Sequence, residues 1–398
     1  MKLDVLIADK LSEAAVDALE KLGAKVRFEP DLSADALPGA VGSAEVLVVR
    51  STRVTRATIE AGKELSLIVR AGAGVNTIDI DAACEFGISV ANCPGKNTAA
   101  VAELAIGLII AADRRIPAAT ADLVSGSWRK KEYGKASGLL GRTLGIVGFG
   151  SIGRAVAERA RALGMHVCAW SRSLTAEAAE EAGVEQCTSL EKLAGRSDVV
   201  SVHLAATKET ANLIGSLFFA AMKPGAIFVN TSRGEIVDQG ALAQAIKERS
   251  IKVGLDVFSD EPSGGEAAFP HTGLAAILAA ATPHVGASTD QASEAIAAET
   301  VRVIESYIQT GKPVNAVNIR AKASEDVSLV VRHYNRVGVL ASVLDALKDA
   351  GINIEEMENT IFQGGTTASC SLKLDKAPGR EHLDRIRGAE HIIQVMLK

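Results

Sequence analysis

A chain of 398 residues exceeds what one hydrophobic core organises, and at roughly 150 residues per domain two or three domains are expected. Hydrophobic residues at 47% and charged residues at 23% exclude a disordered chain, and aromatics at 4% leave the cores to Ala, Val, Leu and Ile. A net charge of −5 argues against nucleic acid or an anionic membrane as the main partner.

In chain order, residues 3–8 read as a strand, 13–22 as an amphipathic helix, and 46–49, 66–69 and 88–91 as further strands. Strands alternating with helices over short connections point to a parallel sheet covered on both faces. Residues 99–112 read as a helix that is apolar nearly all round, hence buried between layers. The longest apolar run, 104–112, is too short to span a bilayer, and Met1-Lys2-Leu3-Asp4 shows no cleavable signal pattern.

A second series starts at Thr143, with strands at 144–148, 166–170, 198–203, 226–230 and 253–257 and helices between them. One long helix over 292–307 is stopped by Gly311-Lys312-Pro313. After a polar linker at 316–326 the rhythm changes. A strand at 327–332, a helix at 339–350, strands at 352–362 and 366–374 across Gln363-Gly364-Gly365, a helix at 381–387 and a strand at 392–397 make a βαββαβ unit.

Five cysteines, Cys84, Cys93, Cys168, Cys187 and Cys370, are scattered without CxxC spacing, which fits buried reduced thiols and a cytoplasmic location. No Cys, His and carboxylate cluster has metal-ligand spacing, so no metal is expected.

Gly148-Phe149-Gly150-Ser151-Ile152-Gly153 is a GxGxxG string between an apolar strand and a helix expected over 154–163. In that setting Gly148 permits the tight turn, Gly150 lets a pyrophosphate approach the backbone, and Gly153 lets helix and strand pack closely. The phosphates sit at the helix N-terminus. A site for NAD ordinarily offers Asp or Glu about 20 residues on, where this chain has Ala169-Trp170-Ser171-Arg172. Ser171 and Arg172 suit a 2′-phosphate, so NADP stays open beside NAD.

Three polar residues stand at or beyond the ends of expected strands, where open α/β sheets bind ligands: Arg233, Glu261 and His284. Their segments 230–242 (NTSRGEIVDQGAL), 254–262 (GLDVFSDEP) and 283–289 (PHVGAST), with 147–153, 69–81 (VRAGAGVNTIDID) and 92–104, resemble the D-isomer-specific 2-hydroxyacid dehydrogenases. The resemblance runs over residues 3–318. It implies an α/β fold class with two doubly wound parallel-sheet domains. A flavodoxin-like substrate domain (1–97 and 283–317) would hold an inserted Rossmann domain (98–282), with the substrate in the cleft between.

The same resemblance implies hydride transfer from C2 of a D-2-hydroxy acid to NAD or NADP. His284 is then the general acid/base, Glu261 its partner, and Arg233 the anchor of the substrate carboxylate. A histidine suits removal of the hydroxyl proton, a carboxylate on its far nitrogen fixes the tautomer, and a guanidinium offers two parallel donors. Ser151, Ile152, Leu204, Thr231 and Asp256 are expected along the cofactor.

Arg50, Arg53 and Arg70, at neighbouring strand ends, make an anion clamp suited to a substrate phosphate. By resemblance the backbone of Ala73, Gly74 and Val75 helps hold the carboxylate and Asn97 lines the cleft. The clamp favours D-3-phosphoglycerate, oxidised to 3-phosphohydroxypyruvate at the start of L-serine synthesis. The alternative is an NADP-dependent reductase of glyoxylate or hydroxypyruvate. The unit at 324–398 resembles an ACT domain, which implies L-serine as effector at His333, Asn335 and Asn353 and a homodimer or tetramer.

Overall fold

The computed structural model describes residues 2–262, 267–320 and 327–398. Met1 and residues 321–326, which include the end of the expected linker and Ser324 at the start of the expected last domain, lie outside the described residues. Contacts divide the chain into two compact units, Met1–Asn318 and Ile319–Lys398.

The first unit contains two parallel sheets. One is built from β1 (Asp4–Ile7), β2 (Lys25–Phe28), β3 (Val46–Val49), β4 (Leu67–Arg70) and β5 (Ser89–Asn92), in the order β2-β1-β3-β4-β5. Its strands β1, β3, β4 and β5 bury both faces, as the near-continuous apolar runs of parallel sheets require, while the edge strand β2 stays partly exposed. Leu6, Leu47, Ile68 and Val90 face one core, while Val5, Ile7, Val46, Leu67 and Val69 face another with Leu19, Ile296, Val303 and Ile304. The last three belong to the helix Asp290–Thr310, so the chain leaves this sheet after β5 and returns some two hundred residues later to cover it.

The other sheet takes β6 (Thr143–Val147), β7 (His166–Trp170), β8 (Glu185–Gln186), β9 (Val199–Val202), β10 (Ile227–Asn230), β11 (Lys252–Leu255) and β12 (Ala280–Ala281). Its order is β12-β11-β10-β9-β6-β7-β8, the doubly wound dinucleotide-binding order with one strand added. The helix Thr98–Arg114 is buried on it as its all-round apolarity foretold, with Ala105, Leu108, Ile109 and Ala112 against Leu144, Ile146 and Val229.

The second unit holds β13 (Val327–Tyr334), β14 (Ile354–Ile361), β15 (Thr367–Leu374) and β16 (Ile392–Leu397), antiparallel in the order β14-β15-β13-β16. The helices Val339–Asp349 and Arg380–Gly388 supply Val343, Leu347 and Ile386 to its core, beside Leu329, Val331, Cys370 and Leu372.

Three strands were not expected from the sequence: β2, β8 and β12. All three are edge strands, and two have only two residues, so little side-chain pattern marks them. The helix after the glycine turn begins at Ser151, three residues before the expected start. Gly153 belongs to its first turn because a Cβ there would meet the Gly148 carbonyl oxygen at 2.2 Å.

Candidate active site

In both sheets the functional segments follow the carboxyl ends of strands, and the glycine turn lies at a topological switch point, where neighbouring strands send their connections to opposite faces. In the dinucleotide-type sheet this is the end of β6, beside β9. Gly148 has φ +96°, and a Cβ there would lie 2.3 Å from the His203 carbonyl oxygen. Around Gly150 a Cβ would meet nothing within 4 Å, so the backbone is open on that side. Gly150 is also the N-cap of the helix Ser151–Ala162 and gives it no side-chain cap, leaving the first-turn N–H groups at Ser151 and Ile152 for an anion. The three glycines thus do three separate jobs: one turns, one leaves room and one packs.

His203 lies under this turn with Nε2 2.8 Å from Ser201 Oγ, and burial pushes its pKa down to about 3. It therefore adds no positive charge beneath the phosphate position. Leu204 follows it and packs partly buried against the apolar core. Thr231, after β10, has its Oγ1 buried without a hydrogen-bond partner among the described residues, an acceptor and donor left for a ligand. At the end of β7, Ser171 is half-buried and Arg172 exposed, with no carboxylate between Trp170 and Ser173. The Glu209 carboxyl is held below its usual range by Thr207 and more weakly by the charge of Arg172, so an acid lies within electrostatic reach of this arginine.

The acid–base pair is built from two loops. His284 Nδ1–H donates to Glu261 Oε2 at 2.6 Å, and Phe258 N donates to Glu261 Oε1 at 2.9 Å. Burial pushes the Glu261 carboxyl up, but the bonds from His284 and Phe258 and the charge of Arg233 outweigh it, so the group stays below its usual range and ionised. With Nδ1 occupied, Nε2 of the half-exposed His284 ring is the nitrogen left for a substrate. The backbone of His284 is left-handed at φ +54°, and its N–H donates to the Asp256 carbonyl at 2.7 Å.

Asp256 is deeply buried. Its side chain is 1% exposed and accepts from Thr282 Oγ1, Val285 N and Gly286 N at 2.6, 2.8 and 2.9 Å. Burial raises its pKa, and those three bonds oppose the rise. Its principal work is to hold the loop that carries His284, with one lone-pair site on Oδ2 left over.

Arg233 follows β10, where Asn230 Oδ1 accepts from Ser232 N and Oγ while Asn230 Nδ2 donates to the Arg233 carbonyl. Its guanidinium reaches over to the other sheet: a Cβ on Gly74 would lie 2.6 Å from Arg233 Nη2. Gly72 likewise leaves room for Arg70, whose Nη1 occupies the space of a Cβ. Burial, then the charges of Arg233 and Arg50, push the Arg70 pKa down to about 10. The carboxylate of Asp9 offsets the cluster only in part: its charge acts weakly on Arg70, and its Oδ2 accepts from the backbone of Arg50, Ser51 and Thr52. Asp79 caps its own helix and Glu45 accepts from Asp4 N. Arg50, Arg70 and Arg233 therefore converge without an ion pair among the described residues. Arg53 is exposed and is not among the charges acting on Arg70. Asn97 starts the helix Thr98–Arg114 without capping it, so its amide is free beside the chain crossing.

Residues 106–286 match the family described as "D-isomer specific 2-hydroxyacid dehydrogenase, NAD binding domain". The glyoxylate reductase of Thermococcus litoralis is 38% identical over 333 residues, 80% of this chain and 97% of that one. The chain belongs to the D-isomer specific 2-hydroxyacid dehydrogenase family. The D-3-phosphoglycerate dehydrogenase of Methanocaldococcus jannaschii is 37% identical over 355 residues, 89% of this chain. Of that relative's own length the chain spans 66%. Among solved structures, the NAD+-bound 3-phosphoglycerate dehydrogenase of Entamoeba histolytica superposes with a TM-score of 0.67 at 28% identity, covering 81% of this chain and all of the other. The family's matched domain is an NAD-binding one, and the open Gly150 backbone, the uncapped helix and the unpartnered Thr231 hydroxyl fit such a group.

In the second unit the expected effector residues meet a different environment. His333 is 2% exposed, with Nδ1 2.8 Å from the Tyr334 carbonyl and Nε2 3.2 Å from the Asn359 side chain. It is a buried residue with both ring nitrogens engaged within its own unit. Asn335 Nδ2 donates to the Gly365 carbonyl, and Asn353 N donates to Asp375 Oδ1.

Proposed function

We propose that this dehydrogenase oxidises D-3-phosphoglycerate to 3-phosphohydroxypyruvate with NAD, the entry step of L-serine synthesis. The observation that carries the reading is the unpaired cluster of Arg50, Arg70 and Arg233 beside the His284–Glu261 pair. Three guanidiniums held together, with only the charges of Asp9 and Glu261 nearby and no direct ion pair among the described residues, are costly unless an anion with several charges occupies them. A substrate with a carboxylate and a phosphate meets that need, and one carboxylate alone does not. We assign Arg233 to the carboxylate and carbinol oxygen, Arg50 and Arg70 to the phosphate with Arg53 at its rim, and the main chain of Ala73–Val75 to the carboxylate. Residues 1–97 and 283–317 form the substrate part and 98–282 the nucleotide part.

In this reading His284 Nε2 takes the C2 hydroxyl proton, and Glu261 stabilises the imidazolium that results. When bound, NAD accepts the hydride from C2. Arg233 aligns the C2–H bond by fixing the carboxylate in two directions.

Exposed Val124, Trp128 and Leu140, at 85%, 80% and 84%, support a homo-oligomer, since monomers seldom leave such residues to water. Leu123 and Trp128 also line a cavity of about 310 Å³ with Ala119, Ser127 and Tyr133. Among the described residues no helix is long and apolar enough to cross a membrane, and all five cysteines are free thiols, which supports a cytoplasmic enzyme. L-Serine acts through the second unit at Asn335 and Asn353, and reaches His333 only where the Asn359 bond is exchanged.

The test is absorbance of reduced nicotinamide with D-3-phosphoglycerate, D-glycerate and, in reverse, hydroxypyruvate and glyoxylate. Phosphate-dependent turnover supports the proposal. Turnover of the unphosphorylated acids alone, with NADP, supports the reductase reading that Ser171-Arg172 favours.

A further inference from the structure

The loop Ala71–Asn76 carries two of the contacts that organise the arginine cluster, yet it has no regular structure of its own. Its shape is imposed from β5. Asn92 Nδ2 donates to the Ala73 carbonyl at 2.5 Å, and Cys93 N donates to the Gly72 carbonyl at 2.9 Å. A trans peptide points its C=O and the following N–H in opposite directions. Fixing the Ala73 oxygen toward Asn92 therefore fixes the Gly74 N–H away from it.

Asn92 is itself held. Its N–H donates to the Asn315 carbonyl and its carbonyl accepts from Asn315 Nδ2, both at 3.3 Å. Asn315, left-handed at φ +59°, also donates from Nδ2 to Glu299 Oε1 at 2.6 Å. Glu299 is 5% exposed and lies on the returning helix Asp290–Thr310. Lys96 Nζ lies 3.2 Å from its Oε2, and Arg302 Nε donates to the same oxygen at 3.1 Å. Lys96 stands in the short segment by which the chain leaves the first sheet for the helix Thr98–Arg114. A nearly buried carboxylate with three partners is expensive to desolvate and adds nothing to the apolar packing around Val303 and Ile304. What it does is join the outgoing crossing to the returning helix and, through Asn315 and Asn92, to the loop at the arginines.

We propose that Asn92 is a positioning residue for hydroxy-acid binding. It anchors the Ala73–Gly74 peptide to a strut, Asn92–Asn315–Glu299–Lys96, that also fixes the chain crossing between the two sheets. The inference rests on the reading of Ala73–Val75 as part of the carboxylate site. Nothing in the strut reaches the nucleotide turn at Gly148–Gly153, so its loss acts on the acid and spares the cofactor.

The experiment is steady-state kinetics of the full chain with D-3-phosphoglycerate and NAD, joined to direct binding of NADH by fluorescence. Asn92→Ala is expected to raise the KM for the acid about tenfold or more, with kcat within about threefold and NADH affinity unchanged. Lys96→Met, at a half-exposed position, is expected to raise the same KM two- to fivefold with the same sparing of NADH. Should Asn92→Ala not fold, Asn315→Ala and Lys96→Met carry the test by the same split. An unchanged KM in folded variants overturns the proposal, as does a parallel loss of acid and NADH binding, which would mark a purely structural strut. Wild-type chain inactive on every D-2-hydroxy acid overturns the functional reading and the inference with it. Normal wild-type turnover with an unchanged variant KM overturns the inference alone.

Discussion

Gly234 lies so close to Phe258 that a Cβ on it would come within 2.0 Å of the Phe258 carbonyl carbon and 2.3 Å of Ser259 N. The contact is backbone to backbone, so no side chain can move aside. It sets the turn carrying Arg233 against the loop carrying Glu261, whose carboxylate feels the Arg233 charge. Gly234→Ala should push the two segments apart, costing about 1–3 kcal/mol of stability. It should also lower kcat/KM by roughly a hundredfold through misplacement. Thermal unfolding and kinetics on one preparation check both, and native turnover would show that the close approach is incidental.

His284→Ala should reduce turnover by about 10²–10⁴-fold, the range for loss of a positioned acid–base group. NADH affinity should stay within about threefold of the native value, because the glycine turn is elsewhere. Glu261→Gln keeps the shape but loses the charge opposite Nδ1, and a smaller drop is expected. Equal, near-native rates in both variants would remove the pair from the chemistry.

Arg70 titrates at about 10 in the folded protein, pushed down by burial and then by Arg233 and Arg50. An unfolded arginine binds its proton to higher pH, so between about pH 10 and 12.5 the unfolded state binds more protons. Stability therefore gains with pH across that window from this group, and the charged form is a burden at neutral pH. Phosphate or sulfate should raise the Tm of the native chain at pH 7 by filling the cluster. Arg70→Met should raise the Tm without anions and blunt the anion response. It should also cost about 10–100-fold in kcat/KM for the phosphorylated acid, as loss of a charge-assisted contact does, and much less for D-glycerate. Differential scanning fluorimetry with and without phosphate gives the first readout.

Glu299 has its carboxyl pulled down to about 2, first by Arg302 and then, against burial, by Asn315 and Lys96. A depressed carboxyl contributes stability above its unfolded pKa, near 4.3, that is lost as pH falls through the folded value. Glu299→Gln should thus be less stable than the native chain by a constant amount above about pH 5, and the gap should close toward pH 2. Urea unfolding across that range measures it, and a gap independent of pH would show that charge is irrelevant there.

Ser171→Asp places a carboxylate at the end of β7, where it can accept from a ribose 2′-hydroxyl and repels a 2′-phosphate. The ratio of kcat/KM for NAD over NADP should rise about tenfold or more. An unchanged ratio would show that the 2′ position is read from elsewhere in the groove.

The sequence was most legible where a single residue type has a single use. Gly148, Gly150 and Gly153 stand as their spacing required, and Glu261 and His284 meet although 23 residues separate them. Less was legible where a side chain's partner decides its work. The spacing of Asp256 did not announce that its oxygens hold the loop carrying His284, nor that of His333 that its ring bonds to Tyr334 and Asn359. Arg53 shares its segment with Arg50, yet Arg50 is half-buried near Arg70 and Arg53 is exposed. The strut through Asn92, Asn315 and Glu299 was not legible as a unit, because its members lie up to 223 residues apart and only Asn92 falls within a recognisable string. β2 escaped for a local reason: Lys25-Val26-Arg27-Phe28 alternates, but over only four residues at a sheet edge, too short a run to stand out from its surroundings.

The helix Asp290–Thr310 completes one face of a sheet whose last strand ends at Asn92. A ribosome adding about 5–20 residues per second needs roughly 10–40 s to make the stretch between them. Throughout that interval Val5, Ile7, Val46, Val48, Leu67 and Val69 lack the cover of Ile296, Val303 and Ile304. The intervening sheet closes on residues 102–280 alone and can form while the first part waits. The segment made first is therefore finished second, and a nascent chain stalled before residue 290 would present a sticky, half-covered sheet to chaperones beside an already folded neighbour.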